Sequence, residues 1–510
     1  MKISNSFLKL LVLLVCLLAE LLGAAEKPNI LFIMSDDHTT QAVGAYGSRL
    51  AKLNPTPNID ALAKNGMRFD RVYCNNSICT PSRASIITGQ YSQTNGVLDL
   101  GGNIPPERQF LPMEMKKAGY QTAMIGKWHL KKEPVAFDYY CVLPGQGKYH
   151  NPDFRIRGDK PWPKNVIKKN GMHSSDAITD ISLEWLKSKR DKSRPFFLMH
   201  HFKAPHDMFS NAKRYDSYLE DIKIPEPDNL FNPPSGSKGS ENLGSGMSKA
   251  HSSWRLPRRL GISEELKEPE YTKAAYQEFL KRYLRCVKGV DDNVKRLIDC
   301  LRDSGELDNT IIMYTGDQGF FLGEHDLMDK RWMYEEAFRM PFIVHAPKIA
   351  KAGSTNRWLI NNTDFAPTML ELAGVANTPG YMQGRSFAGA LKGRSKPADW
   401  RKVTYYRYWM HMAHGLRVPA HFGIRSEQYK LIFFYGCNPD GGGRRTPVAW
   451  EFYDLEKDPF EMQNLYADRQ YSKIIKAMKV ELKKVRANLN ETDEKYPHIQ
   501  AIIDAHWQKE

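Results

Sequence analysis

Short apolar runs that break off into charged residues constrain this chain more than any other feature. The runs are NILFIM (29–34), QTAMIG (121–126), PFFLMHH (195–201), TIIMYTG (310–316) and PFIVHAP (341–347), each β-rich and bounded by polar or turn residues. Helix-periodic stretches lie between them, such as AITDISLEWLKSKR (177–190) and the long segment 276–305. A strand buried on both faces has no polar side, so continuous apolar strands interleaved with helices predict an α/β fold. Its mainly parallel central sheet is sandwiched by helices. NILFIM leads into Asp36, Asp37 and His38; QTAMIG into Lys127 and His129; PFFLMHH into Lys203 and His206; TIIMYTG into Asp317 and Gln318. Open α/β sheets bind ligands beyond the carboxyl ends of their strands. Four strand ends are therefore expected to deliver acids, histidines and lysines to one edge.

From about Lys402 the texture changes. KVTYYRYWM, HFGIRSEQYKLIFFYG and WEFYDLEKD read as antiparallel strands between turns. Residues 471–490 read as an amphipathic helix with Ile474, Ile475, Met478, Val480, Leu482 and Val485 as its apolar positions. The expected division is a leader at 1–25, a main domain at 26–400 and a smaller antiparallel α+β subdomain at 401–510. The Gly/Ser/Pro-rich, basic stretch 232–261 reads as a long, partly flexible surface insertion.

The N-terminus carries Lys2 and Lys9, then LLVLLVCLL, then small residues at Gly23–Ala25, which is the pattern of a cleaved export signal. Its removal changes the formal charge from +15 to +14 by deleting Lys2, Lys9 and Glu20. No later run is long enough to span a bilayer, so the expected product is exported, periplasmic or secreted, without stable membrane insertion. The basic excess suits a polyanionic partner or a solvated surface equally well; no nucleic-acid partner is expected. Beyond the leader the cysteines are Cys74, Cys79, Cys141, Cys286, Cys300 and Cys437, with no CxxC pair. Neither a zinc site nor a disulfide scaffold is indicated, although a disulfide or two remains open in an exported chain. Sequons begin at Asn75, Asn361 and Asn490.

One stretch, CTPSRASIITG (79–89), sets a thiol, a proline and an arginine at the head of an apolar segment. Thr80 as N-cap and Pro81 as first helical residue would leave Cys79 just before a helix N-terminus, where an anion is favoured. Arg83 adds a fixed guanidinium fork for a tetrahedral oxyanion. On these residues alone, an ordinary capped helix with a buried cysteine explains the stretch as well. Asp36-Asp37 alone is likewise explained by a turn. A second strand end carrying Asp317 and Gln318 makes a set of hard oxygen donors, suited to Ca²⁺ or Mg²⁺.

The ordered combination of CTPSR…TG, NILFIMSDDH, GKWHL, KAPH, GDQGFFLGEH, DKRWMYEE and EFYDLEKDPFEMQNL resembles the type I, formylglycine-dependent sulfatases of the alkaline-phosphatase-like superfamily, most closely the bacterial polysaccharide sulfatases. The resemblance spans most of the chain after the leader. It implies that a sulfatase-maturing enzyme oxidises Cys79 to formylglycine, whose hydrate attacks sulfur with one hydroxyl and expels sulfate with the other. It implies Ca²⁺ at Asp36, Asp37, Asp317, Gln318 and residue 79; Gln318 stands where Asn is frequent. It further implies that Arg83 anchors residue 79 or sulfate and that Lys127 holds an oxygen. His129 would be the base that releases sulfate, and His206 and Lys330 the pair at the leaving oxygen. His38, His200, His201 and His325 are left as supporting residues.

A sulfated polysaccharide or oligosaccharide is the expected substrate. Segment 402–425 interleaves Tyr, Trp and His with Arg407, Arg417 and Arg425, which suits sugar rings and neighbouring anions, although a core strand with ordinary surface residues explains it equally well. Similarity around 200–231 to sulfatases of polysaccharide-degrading bacteria leans toward algal polymers such as ulvan or carrageenan. Glycosaminoglycans or mucins are the alternative. A related phosphodiesterase or phosphonate hydrolase and a non-catalytic sulfated-glycan-binding protein are the competing classes.

Overall fold

The computed structural model describes residues 27–508 apart from 233–234, 238, 241–245 and 250–256; the leader reading of 1–25 lies outside the described residues. Asn29–Asp36, Gln121–Lys127, Phe196–Pro205 and Thr310–Gly316 are strands lying side by side in a ten-stranded sheet. Asn29–Asp36 runs parallel to both Phe196–Pro205 and Thr310–Gly316, and Gln121–Lys127 runs parallel to Phe196–Pro205. Alternation then sorts their side chains between two cores. Ile30, Phe32, Met34, Phe197 and Met199 enter one, while Leu31, Ile33, Phe196 and Leu198 enter the other. Each such burial contributes about 1.5–3 kcal/mol, which explains why neither face of these strands is polar. The helix Glu270–Asp303 covers one face with Phe279, Leu280, Tyr283, Val287 and Val290.

The expected parallel strand at 341–347 is Phe342–His345, and it runs antiparallel to both neighbours. The chain leaves Gly316 at the carboxyl edge and reaches Phe342 through a segment holding only short elements, with no crossover helix to carry it back. Without a crossover, the return is necessarily antiparallel. An apolar run carries no sign of direction.

A second sheet, Thr404–Tyr408, His421–Arg425, Tyr429–Phe434 and Ala449–Asp454, is wholly antiparallel and is covered by the helices Ser472–Asn488 and Pro497–His506. In Ser472–Asn488, Ile475, Met478 and Leu482 are buried, but Val480 is 70% exposed. Val480 lies five residues from Ile475, which turns it onto the opposite side of a 3.6-residue helix.

Other expectations are corrected by packing. All six cysteines of the described residues are free and buried. Asn75 and Asn361 are buried and hydrogen-bonded to Asn362 and Thr404, so neither presents an amide to a glycan-transferring enzyme in this fold. The described parts of 232–261 are not a free surface loop. Ser237 meets the Tyr453 hydroxyl at 3.0 Å, Met247 is fully buried, and Ser248 donates its backbone N–H to Asp326. Arg407 is buried among Glu491, Asp493 and the Trp409 ring, and Arg425 is buried 3.3 Å from Glu335. These two arginines neutralise internal acids, so of the three expected to meet a glycan only Arg417 is exposed. The edge strand Thr404–Tyr408 instead backs the main domain: the Tyr406 hydroxyl donates to the Arg331 carbonyl, and Arg331 Nη1 donates to the Tyr408 hydroxyl at 3.1 Å.

Candidate active site

Four adjacent strands end at one edge, and the expected residues converge there. Cys79 is the first residue of the helix Cys79–Thr88, with Ile78 as an extended N-cap. The expected Thr80 cap is not formed, because the helix starts two residues earlier than the pattern suggested. Thr80 Oγ1 lies 3.3 Å from His129 Nδ1 instead. Pro81 still falls in the first turn, where a missing N–H leaves no bond unmade. Gly89 closes the helix at φ 65°, the left-handed cap that glycine adopts without strain.

Arg83, one turn along, is fully enclosed. Its Nε and Nη2 lie 3.0 and 2.9 Å from Asp317 Oδ2, and Nη1 donates to the Lys127 carbonyl at 2.5 Å. Its fork is therefore engaged with the acid cluster and the strand end behind Cys79. Lys127 Nζ contacts Asp36 Oδ2 and Gln146 Oε1. Gly126, just before it, lets the strand end pass close to its neighbour, since a Cβ there would collide with the His201 carbonyl and its φ is +103°. Lys330 Nζ donates to Asp37 Oδ1 and stands 3.4 Å from Cys79 Sγ. His206 Nε2 lies 3.9 Å from Asp37 Oδ2, while its Nδ1 is 2.6 Å from Asp207 Oδ1.

Carboxylate oxygens of Asp36, Asp37 and Asp317 lie within 4.8 Å of one another, and so do ligand atoms of Asp36, Cys79 and His206. Gln318 Nε2 donates to Asp37 Oδ1. Buried Asp36 Oδ1 and Gln318 Oε1 have no hydrogen-bond partner among the described residues. Burying unpaired oxygens is costly, and a hard divalent cation is the group that this donor set fits. The electrostatics agree. Burial and the neighbouring carboxylates push Asp317 up to about 7 and raise Asp37 despite Lys330. Burial also opposes ionisation of Asp36, but Lys127, His206 and Arg83 outweigh it and hold Asp36 well below the usual carboxylate range.

The two site histidines are driven apart. Burial, Lys127 and Arg83 lower His129 strongly and keep it neutral, as a base must be. Burial and Lys127 also disfavour a charged His206, yet Asp36, Asp207 and Asp37 outweigh them and push it up to about 10, the state of a proton donor. The mouth over Cys79, His206 and Lys330 is rimmed by Leu100, Gln146, Asp207, Asp329 and Arg331.

Sequence reasoning missed Gln146, which sits in a featureless Gly/Pro loop, and Tyr283, whose hydroxyl donates to the Asp37 carbonyl at 2.7 Å from a distant helix. It also missed Asn362, which donates to Ser82 Oγ at 2.9 Å. Asp207, Asp329 and Arg331 adjoin residues already singled out, so proximity in sequence was their one signal. Among the supporting histidines, His201 lies 3.2 Å from the Lys127 carbonyl and His38 bonds the Tyr314 hydroxyl. His200 pairs with Ser182, and His325 stacks on Tyr334 near Glu336, both outside the cluster.

A cysteine at a helix start, enclosed by acids, lysines and two oppositely tuned histidines, defines a hydrolytic centre for anionic esters. The sulfatase family model matches residues 28–375, and the model for the C-terminal part of N-sulphoglucosamine sulphohydrolase matches 323–488. The chain belongs to the sulfatase family and is a sulfatase; members generally use formylglycine and a divalent metal. It is 40% identical over 513 residues to an N-acetylglucosamine-6-O-sulfatase of Bacteroides thetaiotaomicron, covering 92% of this chain and 88% of that protein. It is 29% identical over 417 residues to the N-acetylglucosamine-6-sulfatase of Homo sapiens, covering 76% of this chain and 68% of that one. A solved structure described as a complex with its substrate D-glucosamine-2-N,6-O-disulfate superposes with a TM-score of 0.83 at 38% identity, covering 92% of this chain and all of that one.

Proposed function

We propose that this sulfatase removes the 6-O-sulfate from a glucosamine unit of a sulfated glycan of the glycosaminoglycan type. The observation that carries the reading is the enclosed Cys79 centre, set in a chain 40% identical over 92% of its length to an N-acetylglucosamine-6-O-sulfatase. The shape of the site supports it. A 6-O-sulfate stands on an exocyclic carbon, one bond out from the ring, and can enter a narrow mouth that a sulfate set directly on the ring meets edge-on. Arg407 and Arg425 of the segment read as glycan-facing are buried in internal ion pairs, so that segment favours neither an algal polymer nor a glycosaminoglycan.

In this reading residue 79, once converted to formylglycine, supplies a geminal diol, one hydroxyl to attack sulfur and one to release sulfate. Ca²⁺ held by Asp36, Asp37, Asp317, Gln318 and residue 79 would polarise a sulfate oxygen and acidify the attacking hydroxyl. Arg83 fixes Asp317 and the Lys127 strand end. Lys127 and Lys330 hold ester oxygens, His206 protonates the departing sugar oxygen through Nε2, and neutral His129 takes the proton that frees sulfate. Arg83, Lys127 and Lys330 already match the charge of the three carboxylates, so a bound divalent ion leaves the pocket positive and receptive to an anionic ester. Cys79 is 1% exposed, so the maturing enzyme acts before the fold closes. Export through residues 1–25 belongs to the same reading, and a mature protein beginning near Glu26 in N-terminal sequencing would match it.

Glucosamine monosulfated at 2-N, 3-O or 6-O tests the assignment directly. Sulfate release from the 6-O ester is expected to exceed the others by about 10²-fold or more. Faster release from 2-N or 3-O would overturn it. A phosphonate monoester or phosphodiester measured on the same preparation is expected to react more slowly than the 6-O-sulfate; the reverse order would favour the phosphonate-hydrolase alternative. Metal content gives a separate expectation. Asp317→Asn removes one of three clustered carboxylates, so bound calcium in elemental analysis and activity should fall together. Full activity in thoroughly chelated, metal-free protein would refute the metal assignment.

A further inference from the structure

A second cavity of about 570 Å³ lies against the same loops that build the catalytic mouth. His206, Asp207 and Gln146 line the mouth over Cys79; Met208–Asn211, the next residues along the first segment, and His150, four residues beyond Gln146 on the second, line the second cavity. The two segments are tied together, because the Tyr149 hydroxyl donates to the His206 carbonyl and His150 Nε2 lies 2.9 Å from Ser210 Oγ. One wall therefore separates a sulfate-sized mouth from a groove within the roughly 300–1,000 Å³ range of ligand sites.

The groove is basic. Lys213, Arg259, Arg282 and Arg285 face Asp216 and Glu278, an excess of two positive charges, with His150 at the rim. The two acids are already engaged: Glu278 accepts from Arg282 Nε at 2.5 Å, and Asp216 accepts from Asn211 Nδ2 at 2.8 Å. Arg285 is anchored by Nε to the Tyr218 carbonyl at 2.9 Å, which fixes its stem and leaves the fork's outer edge to the groove. Lys213 is exposed, and its ammonium has no hydrogen bond or ion pair among the described residues. A held arginine fork and an uncommitted ammonium, beside a site for a sulfated sugar, match the carboxylate or sulfate of a neighbouring sugar unit.

We infer that this groove is a subsite for the next anionic unit of the glycan, so that the enzyme prefers a charged oligosaccharide to the isolated sulfated monosaccharide. The inference rests on the glucosamine-6-sulfate reading. Its test compares kcat/KM for glucosamine 6-sulfate, for an oligosaccharide joining that unit to a uronic acid, and for one joining it to a neutral sugar. In the wild-type enzyme the uronic-acid oligosaccharide should lead, and rising ionic strength should erode that lead. In Lys213→Ala/Arg285→Ala the ratio of charged oligosaccharide to monosaccharide should fall about tenfold, through KM, while the neutral-neighbour ratio holds. An unchanged ratio, or no lead in the wild type, would overturn the subsite. Binding of the charged oligosaccharide to Cys79→Ala protein by calorimetry reads the groove without turnover. About tenfold weaker binding when Lys213→Ala/Arg285→Ala is added supports the subsite even where the sulfate assignment fails, and undiminished binding refutes it.

Discussion

Cys79→Ser is expected to abolish sulfate-ester turnover, by about 10⁴-fold or more, the scale seen when a hydrolase loses its nucleophile. Serine keeps nearly the size of cysteine at the head of the helix Cys79–Thr88, so thermal unfolding should change little. What it lacks is the route to an aldehyde hydrate, and with it the second hydroxyl that frees sulfate. Peptide mass analysis should show the aldehyde at residue 79 in active wild-type protein and an intact serine in the variant. Burial adds a temporal expectation. Folded wild-type protein with unmodified Cys79, 1% exposed, should stay inactive when maturing enzyme is added, whereas modification during synthesis should yield active enzyme. Substantial turnover by Cys79→Ser would remove the nucleophile from the account.

His206→Ala is expected to discriminate between leaving groups. A sugar alkoxide is a poor leaving group and needs a proton, worth about 10²–10⁴-fold. An activated aryl sulfate departs as a stabilised phenolate and needs little help. Sugar-sulfate turnover should therefore fall by at least about 10²-fold, with a visibly smaller loss on the aryl ester. The acid form of His206 exists below its raised pKa and disappears above it, so the sugar-sulfate rate should decline as pH climbs toward about 10. The aryl ester should lack that limb. Arg83→Ala should harm both substrates alike, because Arg83 positions Asp317 and the Lys127 strand end rather than the leaving oxygen. Equal losses on both substrates for His206→Ala would pass the proton-donor role to Lys330, 3.4 Å from Cys79 Sγ.

The strands that carry the site were legible because burial on both faces leaves an unbroken apolar signature, and their polar ends mark where the sheet edge begins. Asp36, Lys127, His206 and Asp317 could thus be placed together from the sequence. Direction was not legible at Phe342–His345, since an apolar run is the same read either way and a missing crossover helix shows only in three dimensions. Arg407 and Arg425 misled for a related reason. Tyr and Arg interleaved along a strand look alike whether they face a sugar or an internal acid, and Glu491 and Asp493 lie more than eighty residues from Arg407. Gln146 and Tyr283 reach the site through tertiary contact alone. The second, basic groove was equally hidden, being assembled from the His206 loop, the His150 segment and the long helix Glu270–Asp303.

The most direct test of the account is sulfate release from glucosamine 6-sulfate measured against the fraction of residue 79 present as aldehyde, across preparations matured to different extents. The account predicts a straight line through the origin. A rate that stays high as the aldehyde fraction falls to zero would contradict it.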